Sequence, residues 1–132
     1  MNIFMDTSAL LAVLDGDDSN HEAAKSLWGR VLGDDVLVCH NYILVETSAL
    51  ILRKLGVEAV RVLEREVVPV LRVIWVSREV HQAAISAHLA AARRSLSLVD
   101  CVSFEIMRRT GIDNAFVFDR HFEEYGFKKV SR

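Results

Sequence analysis

Proline is nearly absent, with one residue in 132, and glycine is sparse at six. No Ser/Gly-rich tract interrupts the chain and no block of it repeats, so neither a linker nor a repeat array is expected. Cysteine is limited to Cys39 and Cys101, which stand apart in strongly apolar surroundings without a CxxC pair. That favours buried free thiols over a disulfide or a thiolate metal site. The five histidines show no ligand-like spacing, which disfavours zinc. Long hydrophobic runs are missing too. The longest uncharged stretches, Val36–Val45 and Val80–Ala92, fall short of the about 20 apolar residues of a membrane span. No basic segment precedes the first apolar run, and Asp6 interrupts it where a signal peptide needs continuity. A cytoplasmic protein with no membrane partner is the expectation. Finally, basic excess is lacking: the formal charge is −2, which argues against contact with a polyanion. If four acids are set aside as metal ligands, the remainder carries +2, so the charge permits such contact without indicating it.

An apolar fraction of 52% in 132 residues is enough for one core, and a single domain over residues 1–132 is expected. Asn2–Met5 reads as a strand ending at Asp6, followed by a helical stretch to Leu14. Ser19 with Glu22 fits a capping box for a helix ending near Gly33. Val36–Cys39 reads as a second strand. Asn41 is placed to cap a helix running to Gly56, and Val57–Val68 continues as another. Leu71–Val76 reads as a strand. His81–Arg94 reads as a helix, and Ser97 opens the next, which Gly111 closes. Ala115–Phe118 and an edge segment Phe127–Val130 complete the strands. Alternating strands and helices predict an α/β fold, a three-layer α/β/α arrangement with a central, mainly parallel sheet of four to five strands. In such sheets the functional crevice lies beyond the carboxyl ends of the strands.

Four acids fall at places that matter: Asp6 after the first strand, Glu46 inside an apolar helix, Asp100 one turn past Ser97, and Asp119 after Phe116-Val117-Phe118. Each also has a structural explanation. Asp6 and Asp119 are placed to cap the helices that follow, and Ser97 with Asp100 can form a capping box. Glu46 is the only formally charged residue between Asn41 and Leu52, and a buried carboxylate needs a cation or donors. Four hard oxygen ligands suit Mg²⁺ or Mn²⁺.

Ile3-Phe4-Met5-Asp6-Thr7-Ser8-Ala9-Leu10, Glu46 in the third helix, Ser97-Leu98-Val99-Asp100 and Phe118-Asp119-Arg120-His121-Phe122 together resemble the PIN-domain family, and within it the VapC-type toxin ribonucleases of toxin–antitoxin pairs. The likeness covers nearly the whole chain. It implies a PIN-like fold and an Mg²⁺- or Mn²⁺-dependent endoribonuclease in which Asp6, Glu46, Asp100 and Asp119 are the catalytic and metal-site acids. Thr7, Ser8 and Ser97 would be auxiliary polar groups, and the partners would be an RNA substrate, a small cognate antitoxin and a second copy in a homodimer. The chain departs from many relatives at Val117, where they carry Thr or Ser. Arg93, Arg94 and Arg120, with Arg108 and Arg109, are candidate RNA contacts near the last two acids, although each also suits an ordinary solvated face. A haloacid-dehalogenase-like phosphatase is set aside because Ser8 stands where a second Asp is required. A PIN-like nuclease acting on DNA flaps, and an inactive RNA- or protein-binding module, remain as alternatives.

Overall fold

The computed structural model describes residues 1–130. Its strands are β1 (Asn2–Met5), β2 (Val36–His40), β3 (Leu71–Ile74), β4 (Asn114–Phe116) and β5 (Lys128–Lys129). They form one wholly parallel sheet ordered β3-β2-β1-β4-β5. In the central strand, Ile3, Phe4 and Met5 are all buried, as a strand covered on both faces requires.

Helices α1 (Thr7–Leu14) and α2 (His21–Val31) lead to β2. From there α3 (Asn41–Leu55) and α4 (Val57–Val62) lead to β3, α5 (Arg78–Ala91) and α6 (Leu98–Thr110) to β4, and α7 (His121–Glu124) to β5. The chain moves from β1 outward to β3, then crosses back past β1 to β4. Right-handed crossovers therefore place the early and late helices on opposite faces, and α1 packs on α2 and α3 while α5 packs on α6. This is the expected three-layer arrangement, parallel throughout. The order reverses beside β1, so the carboxyl ends of β1 and β4 flank the switch point where such sheets hold their sites. An aromatic cluster steadies that end. Phe104 packs on Phe122, Tyr125 and Phe127 with ring centroids 4.9, 4.7 and 5.6 Å away, which fastens α7 and β5 to α6.

Several local expectations fail for identifiable reasons. Ser19 does not open α2. Backbone N–H groups of Asp17 and Asn20 donate to the Asp15 and Asp18 carboxylates, so these residues form turns and the helix starts at His21. Asn41 is not a cap, because its side chain accepts the N–H of Val76 at 2.7 Å; the His40 imidazole takes the capping place. Regular helix ends at Val62, and a wide turn over Leu63–Val67 and a tight one over Val68–Val70 accommodate Pro69, which has no N–H. Ser77 caps α5, starting it before His81.

Both cysteines are free and buried, as expected, and burial pushes the Cys39 thiol up to about 12. Among the described residues no helix is long and apolar enough to cross a membrane.

Candidate active site

Asp6 follows the last residue of β1. Its N–H donates to the Phe116 carbonyl at 3.2 Å, and it caps α1 by accepting from the Ser8 N–H at 3.1 Å and the Ser8 hydroxyl at 2.7 Å on one oxygen. The Ser8 hydroxyl in turn accepts the Phe118 N–H at 3.0 Å, joining the ends of β1 and β4. Thr7, buried, donates its hydroxyl to Glu46 at 2.5 Å and so ties α1 to the middle of α3. The Ser97–Asp100 capping box is present, with both bonds at 3.1 Å. Asp119, in the turn after β4, accepts the His121 N–H at 2.7 Å.

The capping and crevice readings thus coincide at Asp6 and Asp100, whereas Arg120, not Asp119, stands at the start of α7. Each carboxylate uses one oxygen on a donor, local for Asp6, Asp100 and Asp119 and from Thr7 on α1 for Glu46, and its second oxygen takes no hydrogen bond among the described residues. All four acids, with Thr7, Ser8 and Ser97, line one crevice of about 330 Å³. Ser95, Leu11 and Leu50 complete it and were not anticipated; only the proximity of Ser95 to Ser97 offered a hint.

Glu46 corrects one premise. It is half-buried, because α3 turns only Ile43, Thr47 and Ile51 fully inward and leaves Val45 68% and Leu52 51% exposed. Its apolar neighbours are therefore not all core residues.

Crowding leaves an electrostatic signature. Burial pushes the Asp6 carboxyl up to about 7, opposed by its Ser8 hydrogen bonds and reinforced by Asp100 and Asp119. Asp100 is raised by burial and by Asp119, with the Ser97 bonds working against the shift. At the rim, His121 contacts Glu124 at 2.9 Å through Nδ1 and the Ser95 carbonyl at 3.0 Å through Nε2. The Glu124 contact, then Asp119 and Asp100, raise its pKa against burial.

The arginines divide. Arg93 is committed to Glu124 at 3.1 Å, Arg109 to Glu105 and Glu79, and Arg108 lies over Phe104 and Phe127. Arg94 stands beside Arg93 in a separate shallow depression, and Arg120 is exposed next to Asp119. Val117 is buried, so no side-chain hydroxyl is supplied from that position.

The model of the PIN domain matches residues 3–128. The chain belongs to the PIN-domain family. At 35% identity over 129 residues, covering 97% of both chains, this PIN domain is similar to the 23S rRNA-specific endonuclease VapC20 of Mycobacterium tuberculosis. The crystal structure of that protein, described as a sarcin–ricin loop cleaving toxin, superposes with a TM-score of 0.88 at 34% identity, covering 98% of this chain and 99% of that one. Two further structures share the PIN fold at low identity. One is FitAcB from Neisseria gonorrhoeae (TM-score 0.69, 13% identity, 99% and 97% covered); the other is VapBC2 from Rickettsia felis bound to a promoter DNA fragment (0.73, 7%, 98% and 98%).

Proposed function

We propose that this PIN domain is a divalent-cation-dependent endoribonuclease and the toxin of a toxin–antitoxin pair. The observation that carries the reading is the meeting of Asp6, Glu46, Asp100 and Asp119 in one crevice at the switch point. The likeness to a toxin that cleaves 23S rRNA supports RNA over a DNA flap as substrate. An inactive binding module would have no need of four converging carboxylates, two of them with raised pKa values.

The donor set fits Mg²⁺ or Mn²⁺, since it consists of carboxylate oxygens alone, one of each carboxylate without a hydrogen bond. Among the described residues no three His, Cys, Asp or Glu stand together as a finished metal site. Asp6, Glu46, Asp100 and Asp119 would hold the cation. When bound, it supplies a water of lowered pKa and positive charge for the scissile phosphate. Ser8 orients Asp6, Thr7 orients Glu46, and Ser97 orients Asp100. Arg120 and Arg94 are the free candidates for phosphate contacts; Arg93 is held by Glu124. Incubating the purified protein with total RNA should yield fragments with 5′-phosphate and 3′-hydroxyl ends in Mg²⁺ or Mn²⁺, and none with zinc alone. Cleavage that survives EDTA in metal-stripped protein refutes this reading.

The partners follow from the same reading: a small antitoxin that covers the acidic crevice with a basic side chain, and a second copy of the chain. Support for the dimer comes from a groove of about 700 Å³ between α3 and the end of β3, lined by Leu44, Val45, Leu52, Val68, Val73 and Trp75, with Trp75 76% exposed. Exposed apolar surface of this kind marks interaction sites, and a buried Trp anchor contributes about 2 kcal/mol or more. Wild-type protein should sediment as a dimer at micromolar concentration and Trp75→Asp as a monomer; wild-type monomers would exclude the dimer.

A further inference from the structure

Phe118, the residue before Asp119, lines a second pocket, of about 250 Å³, that is apolar and carries two cations in place of carboxylates. Ser26, Leu27 and Arg30 of α2 form one wall, and Phe118 and Lys129 form the other. No carboxylate lines it, and among the described residues neither Arg30 nor Lys129 has an ion-pair partner. The Lys129 ammonium lies over the Phe118 ring, 5.4 Å from its centroid, and Phe118 and Phe116 meet at a steep angle with centroids 6.2 Å apart. An aromatic ring beside two cations without carboxylate partners among the described residues is a combination suited to an unpaired base and its phosphate.

The pocket is coupled to the carboxylates by covalent and hydrogen-bonded links. Phe118 and Asp119 are consecutive, so their Cα atoms are about 3.8 Å apart. The Phe118 N–H is held by the same Ser8 hydroxyl that holds Asp6. One backbone turn therefore carries both a carboxylate of the acidic crevice and an aromatic ring of the second pocket. We infer that this pocket is a base-binding subsite for single-stranded RNA, in which an unpaired base neighbouring the scissile phosphate stacks on Phe118 while Lys129 and Arg30 contact the backbone. This inference rests on the ribonuclease reading for the position of the scissile phosphate, but the pocket's affinity for RNA is measurable without cleavage.

The test uses the full chain in EDTA with short single-stranded RNAs carrying one 2-aminopurine at successive positions. Wild type should quench the fluorescence at one position. Phe118→Leu, which keeps an apolar side chain but removes the stacking face, should abolish that quenching and weaken binding about tenfold. Arg30→Ala and Lys129→Ala should each weaken binding and lower the salt dependence by somewhat less than one phosphate contact's worth of slope. Circular dichroism establishes that Phe118→Leu is folded; if it is not, the two surface variants decide. Quenching and affinity equal to wild type in the folded variants overturn the inference, as a pocket serving a protein partner would give. Cleavage in Mg²⁺ separates the two readings. Pocket-dependent RNA binding without cleavage retains the subsite and removes the ribonuclease, whereas cleavage with unaltered binding does the reverse.

Discussion

Asp6→Asn is expected to lower RNA cleavage on the order of 10³-fold or more, and at the same time to make the metal-free protein harder to melt. The first effect follows from removing a charge from the group that would hold the cation. The second follows from burial. A carboxyl moved from its ordinary 3.8 to about 7 by an apolar setting opposes folding once ionised, on the order of 4 kcal/mol for a shift of that size. Asparagine keeps an oxygen for the Ser8 N–H and discards the charge. In EDTA at pH 8, Asp6→Asn should therefore melt about 10–15 °C above wild type, and Mg²⁺ should close or reverse that gap by stabilising only the wild type. Asp100→Asn should gain less, because the Ser97 hydrogen bonds already offset part of the burial of that carboxylate. Calorimetry of the three proteins beside a cleavage assay checks both effects. If Asp100→Asn is inactive but melts below wild type in EDTA, its capping of α6 outweighs its charge; if it cleaves normally, Asp100 is not part of the catalytic set.

Mg²⁺ should raise the melting temperature much more at pH 8 than at pH 6, because a proton competes with the cation at Asp6 below about 7. An equal rise at both pH values would contradict a role for that carboxyl. The metal-free protein behaves differently. A raised carboxyl in the folded state binds protons that the unfolded chain does not, so Asp6 contributes stability as pH falls from about 7 toward 4, and Asp100, also raised, adds in the same direction. These two buried carboxyls alone therefore predict firmer folding in mild acid. His40 works in the other direction. It is fully buried, bonds Ser103 through Nε2 at 2.9 Å, and burial lowers its pKa to about 3. Below about 6.5 the unfolded chain takes up the proton that folded His40 refuses, and stability is lost. Wild type in EDTA should consequently show a flat profile between pH 4 and 6.5, whereas Asp6→Asn, left with the His40 effect and only the smaller Asp100 contribution, should fall steeply. Parallel profiles would show that Asp6 titrates normally.

Strand–helix alternation and the parallel sheet were legible in the sequence, as were the four acids that line one crevice. Those signals are local or periodic: the unbroken apolar run of β1, the helical spacing in α2, the Ser97–Asp100 pair, and the glycines at 33, 56 and 111, whose positive φ values end helices or loops. An interaction spanning one helical turn is written in neighbouring residues. Even local competition was misleading, however, where two donors or acceptors contended for one place, as at Ser19 and Asn41. Tertiary structure alone decided that Thr7 meets Glu46 across 39 residues and that Ser8 joins Asp6 to Phe118 across 110. It also decided that Arg93 pairs with Glu124, that α3 leaves half its apolar side chains exposed, and that Phe118, Arg30 and Lys129 share one pocket. The reason is that these contacts depend on which strand ends lie side by side, and the order β3-β2-β1-β4-β5 is set by packing two helical layers against one sheet.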